Sequence, residues 1–171
     1  IAGGWNSSAA TSTFSCGTST SSRSSPTPTL TTKGIGTDPF YNLTLSNGGS
    51  LATDVQSTNS LTISSATLSL GGKNLSVGAN LSEAGALTAS ASEAITVGGN
   101  WNITSFTPAS STLTFSGASG AGPFSISSNA QSFSSVILNA PGKSYQQLDA
   151  ASIASSLSLT AGSWSTNGAS L

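Results

Sequence analysis

Pairs of apolar residues separated by one polar residue recur along this chain: Leu61/Ile63, Leu68/Leu70, Leu75/Val77, Ile95/Val97 and Trp101/Ile103. That i, i+2 spacing is the period of a β-strand with one buried face. The turn formers Ser-Ser-Ala, Gly-Gly-Lys and Gly-Ala-Asn separate the pairs. Leu61, Leu68 and Leu75 lie seven apart, as in a heptad. Their partners fall at i+2, however, and the intervening Ser, Thr and Gly are poor helix formers. Residues 146–154 have the only helix-like composition, and their place in the pattern makes them irregular or strand. The chain is therefore all-β.

The pattern repeats on a larger scale. Residues 61–75 align without a gap on residues 157–171, Leu61 falling on Leu157 and Leu75 on Leu171, a shift of 96 residues. Trp5-Asn6 falls on Trp101-Asn102 at the same shift. Phe14 falls on Phe115 and Phe40 on Phe133 at slightly different shifts. Such insertions and deletions belong in turns, because a one-residue slip inside a strand reverses its faces. Two modules follow: residues 1–96, entered mid-module, and residues 97–171, incomplete, together one continuous elongated domain.

Short strands at regular spacing suit either a β-solenoid or a β-sandwich. Strands of three to five residues, small residues at each corner and repetition at two levels favour the solenoid. A three-faced coil of about 20 residues would hold two or three apolar pairs, with rungs ~4.8 Å apart. The sandwich stays as the alternative.

Charged residues make up 5% of the chain, with Lys+Arg 4, Asp+Glu 5 and net charge −1. Nucleic acid is held by arrays of Lys and Arg, so it is not an expected partner. No run of apolar residues is long enough for a membrane helix, so membrane insertion is not expected either. Cys16 is the single cysteine, which excludes an intrachain disulfide. Residues 18–28 are the most Ser/Thr/Pro-rich stretch and lack an apolar pair, which predicts a mobile loop.

The runs LTISSATLSLGGKNLSV, VGGNWNIT and SSTLTFSG, followed by Phe133 and Val136, resemble modules of very long repetitive bacterial surface and secreted proteins. Those are adhesin-like or fibrous cell-envelope proteins. The resemblance implies a β-solenoid fold, export to the cell surface or beyond, and a structural or adhesive role. It transfers no catalytic residues.

The chain has no histidine, which removes a Ser-His-Asp triad and a His metal site. Glu83 and Glu93 are the one pair that a glycosidase reading can use, and they read better as solvated loop charges. The other acids, Asp38, Asp54 and Asp149, are too scattered for calcium. No enzymatic activity and no cofactor are expected. Asn6, Asn42, Asn74, Asn80 and Asn102 open Asn-x-Ser/Thr sequons and are candidate glycosylation sites. Trp5, Trp101 and Trp164 have faces that can stack on sugars, but Trp5 and Trp101, repeat-registered aromatics beside glycine, read better as packing.

Because the sequence starts and stops mid-module, residues near Ile1 and Trp5, and near Asn167 and Leu171, are expected at assembly contacts. The expected partners are copies of the chain or adjoining modules. The expected role is a structural module of an extracellular fibre or cell-surface filament. The alternative is an adhesin module binding glycans or a solid surface.

Overall fold

The computed structural model describes residues 4–7, 9, 15–25 and 27–171, apart from the side chain of Glu83. The fold is a β-solenoid of about seven turns, without helix among the described residues. Its strands are β1 (Trp5–Asn6), β2 (Thr20–Arg23), β3 (Thr29–Thr31), β4 (Asn42–Leu45), β5 (Gly49–Leu51) and β6 (Val55–Ser57). Then come β7 (Leu61–Ile63), β8 (Thr67–Ser69), β9 (Leu75–Val77), β10 (Leu81–Thr88) and β11 (Ala94–Val97). The last are β12 (Trp101–Thr107), β13 (Thr112–Phe115), β14 (Phe124–Ser127), β15 (Ser132–Gln147) and β16 (Ser152–Ser165).

These strands stack in three parallel columns, one for each face of the coil. The first runs through β2, β4, β7, the start of β10, the start of β12, β14 and the end of β15. The second runs through β1, β3, β5, β8 and the later halves of β10 and β12. The third runs through β6, β9, β11, β13 and the middle stretches of β15 and β16. Every pairing between named strands is parallel, which removes the β-sandwich alternative, an antiparallel architecture.

Each column turns one sequence position into a ladder. In the first, Leu43, Leu61, Leu81, Trp101, Ile126 and Gln147 follow one another, one per coil. The steps are 18, 20, 20, 25 and 21 residues, so the coil of about 20 residues is the structural unit. The apolar pairs point inward and are buried. The middle coils are filled by Leu, Ile and Val, and the later ones by aromatics. Trp101 meets Phe106, Phe115 and Phe133 edge-on at centroid distances of 5.1, 6.4 and 5.6 Å. Edge-on contacts of this kind add ~0.5–1.5 kcal/mol beyond area burial.

The coil and the 96-residue repeat are different units. Leu61 lies in the first column, but its repeat partner Leu157 lies in the third, beside Val136. Trp5 lies in the second column and Trp101 in the first. The sequence repeat thus spans four and two-thirds turns and returns its motif on a neighbouring face. Residue 96 itself falls within β11.

Two local expectations are corrected. Strands are not all three to five residues long: β15 has 16 residues and β16 has 14, both continuing round corners. Nor is the Ser/Thr/Pro-rich stretch a loop throughout. Residues 20–23 form β2, paired along its length with β4. The inward position that lacks an apolar residue there is filled by Arg23, 1% exposed, opposite Leu45.

Candidate functional site

Backbone amides at the corners are satisfied by side-chain oxygens that reach from one coil to the next. At the corner before the first column, Ser60 N–H donates to Asn42 Oδ1 at 3.2 Å, and Asn100 N–H to Asn80 Oδ1 at 2.9 Å. Ser125 N–H continues the series, donating to Asn100 Oδ1 at 2.7 Å. The corner before the third column repeats the device. Asn74 N–H donates to Asp54 Oδ1, and Ala94 N–H to Asn74 Oδ1, both at 2.8 Å. These positions follow from coil register: Asn42, Ser60, Asn80, Asn100 and Ser125 each immediately precede a ladder residue of the first column, Leu43, Leu61, Leu81, Trp101 and Ile126. A polar atom held between coils at a turn satisfies groups that the ladder leaves over.

Two carboxylates serve the same purpose more strongly. Glu93 is 1% exposed. It accepts the N–H groups of Ser90 at 2.7 Å, Ala91 at 2.8 Å and Gly72 at 2.9 Å. Burial pushes its carboxyl up, but these backbone donors outweigh burial and hold it at about 2. The solvated loop charge expected at Glu93 is therefore wrong. No partner carboxylate is placed with it, since the side chain of Glu83 lies outside the described residues. Asp149 accepts Ser128 N–H at 2.8 Å and Asn129 N–H at 2.9 Å, with both Ser127 and Ser128 hydroxyls added. Burial raises its pKa, but the serine and backbone donors prevail and lower it. Among the described residues, no three acidic or cysteine side chains converge as metal ligands.

The outward positions form uncharged hydroxyl and amide rows. The first column carries Ser22, Thr44, Thr62, Ser82, Asn102 and Ser127. The third carries Gln56, Ser76, Thr96 and Thr114, then Ile137 and Ser158.

The candidate sugar-stacking tryptophans are mainly packing residues. Trp101 is 1% exposed. Trp164 is half-buried and donates Nε1–H to Gln147 Oε1 at 3.1 Å. Trp5 is half-buried, edge-on to Phe40 at 5.5 Å, and its ring carries the Arg23 guanidinium 4.8 Å from the centroid. Arg23 is buried with Nε and Nη1 unbonded. Asp38, also buried, accepts Lys33 N–H at 2.8 Å and the Ser7 hydroxyl.

The five sequon asparagines divide in two. Asn42, Asn74 and Asn80 are half-buried and engaged in the corner series, whereas Asn6 and Asn102 lie on exposed strand positions. Cys16 is half-buried.

Of the expected assembly residues, Asn167 and Leu171 are exposed at the last coil, Trp5 packs on the first, and Ile1 lies outside the described residues, as does Phe14. The last coil offers a surface that sequence reasoning placed only generally. Among the described residues β16 pairs with β15 alone. Its Leu157 and Leu159, which occupy core ladder positions, are 37% and 57% exposed. Comparison of the chain with family models, with curated proteins and with solved structures finds no match.

Proposed function

We propose that this chain is a structural module of an extracellular fibre or cell-surface filament, extended by coil-on-coil contacts at its ends. The open outer edge of β16, with Leu157 and Leu159 exposed where other coils bury their equivalents, carries this reading. A strand edge with unpaired backbone groups is a template for another strand, and solenoid ends need covering. A head-to-tail contact propagates rather than closing. Low charge and the resemblance to repetitive surface proteins support the same role and location. Negative-stain electron microscopy of the purified chain tests it: thin filaments are expected, and their loss in Leu159→Lys. Monodisperse particles at every concentration would overturn it.

The outward hydroxyl and amide rows favour a second reading, an adhesin face for glycans or a solid surface. Binding on a glycan array that disappears in Thr44→Lys/Thr62→Lys, while the fold persists by circular dichroism, would support it. No binding by the unaltered chain would remove it.

A further inference from the structure

Asp38 is a buried carboxylate that neither reading above uses. It is 2% exposed, at the corner where the chain leaves β3 and approaches the third column at Phe40. Lys33 N–H donates to its Oδ1 at 2.8 Å and the Ser7 hydroxyl to its Oδ2. The next residue is Pro39, and Asp38-Pro39 is the one Asp-Pro bond in the chain. Such a bond carries the chemistry for its own cleavage. The carboxylate reaches its own backbone carbonyl carbon through a five-membered ring. The proline nitrogen bears no hydrogen, is more basic than other peptide nitrogens, and leaves more readily.

We propose that Asp38-Pro39 is a self-cleavage site of the folded chain, with water as its co-reactant. A carboxylate oxygen of Asp38 bonds to the Asp38 carbonyl carbon, the C–N bond to Pro39 breaks, and the Pro39 nitrogen takes a proton from solvent. The products of this step are a cyclic anhydride at Asp38 and a secondary amine at Pro39. Water then opens the anhydride to two carboxyl groups, so the sum is hydrolysis of one peptide bond. The site stands apart from the fibre reading.

The corner favours this bond in two ways. First, burial and two donors fix the carboxylate beside its own backbone and strip it of water. Held reacting groups and excluded water are what make an intramolecular attack fast. Secondly, the two sides of the bond are held differently. Phe40 is fully buried, its N–H donates to Gln56 O at 2.9 Å, and its carbonyl accepts Thr58 N–H at 2.7 Å. Upstream, Gly34 and Gly36 have φ of +96° and +88° with open space where a side chain would sit, and residues 35–37 are exposed. The acyl side can therefore move off while the amine side stays. Asp54 and Asp149 lack this setting, being half-buried and followed by Val55 and Ala150. Across the cut, β2 still pairs with β4 and β3 with β5, so the solenoid stays joined by pairing and packing alone.

The purified chain is incubated in one mildly acidic buffer, folded and in denaturant, and followed by denaturing gel and mass spectrometry. The folded chain is expected to yield two fragments, residues 1–38 and 39–171, that separate on the gel but co-elute in native gel filtration. Their formation should slow in denaturant and be lost in Pro39→Ala and in Asp38→Ala. The comparison of folded with denatured chain needs no variant, so it decides the matter whether or not Asp38→Ala folds. Cleavage as fast in denaturant as in the folded chain would be the ordinary lability of an Asp-Pro bond and would overturn the proposal. So would a folded chain that stays whole, or fragments that persist in Asp38→Ala.

Discussion

Asn80 Oδ1 accepts the backbone N–H of Asn100 at 2.9 Å, from one coil to its equivalent position in the next. Asn100 in turn accepts from Ser125. The corners are thus braced by a series of side-chain oxygens, each bonded to a group it meets only when the coils are in register. Asn80→Ala leaves a half-buried N–H unpaired and is expected to cost about 1 kcal/mol, read as a lower urea midpoint with unchanged slope. Asn102→Ala, on an exposed strand position, should leave the midpoint in place.

Glu93 makes stability depend on acid. Its folded carboxyl sits at about 2, below the ordinary 4.5, so the folded state binds fewer protons than the unfolded one. The stabilisation is fully present above about pH 4.5 and is lost as pH falls towards 2. Thermal melts across that window should fall more steeply for the unaltered protein than for Glu93→Gln. Parallel curves would show that Glu93 is not the group being protonated.

Gly98 is required by close approach. A Cβ placed there would lie 2.0 Å from the carbonyl oxygen of Gly78, one coil below, and 3.1 Å from Ala118 Cβ. Backbone on one side cannot yield without breaking coil register. Gly98→Val is expected to cost about 3 kcal/mol, the upper end of overpacking penalties, measured by denaturant unfolding.

Arg23 should be replaceable with a gain. Its guanidinium is buried with two nitrogens unbonded, and burial lowers its pKa. A buried unsatisfied polar group costs ~1–3 kcal/mol. The stacking on Trp5 returns about 0.5–2 kcal/mol. Arg23→Met keeps much of the volume, continues the ladder of Leu45 and Ile63, and is expected to raise the melting temperature. A lower melting temperature would show that the cation–π contact outweighs the orphaned nitrogens.

Much of this architecture was legible because a solenoid writes its period directly into the sequence. Leu61/Ile63, Leu68/Leu70 and Leu75/Val77 are the three inward pairs of one coil, and their 7-residue spacing is one face plus one corner. The Arg23 coil was not legible, since parallel pairing with β4 is set by neighbouring backbone and not by local composition. Glu93 was misread for a related reason: a lone acid between Ser and Ala looks solvated, and its three donors come from a loop and from Gly72 one coil away. The 96-residue repeat was found, but a linear alignment carries no angle. That Leu61 and Leu157 stand on different faces emerges only when coils are counted in space.

The central claim is that a further coil covers β16. Amide hydrogen exchange of the purified chain, followed by mass spectrometry over a range of protein concentrations, tests it most directly. The account predicts that peptides spanning residues 156–159 exchange more slowly as concentration rises, while peptides spanning β9, already paired on both sides, do not change. Exchange in residues 156–159 that stays the same from the lowest to the highest concentration would contradict it.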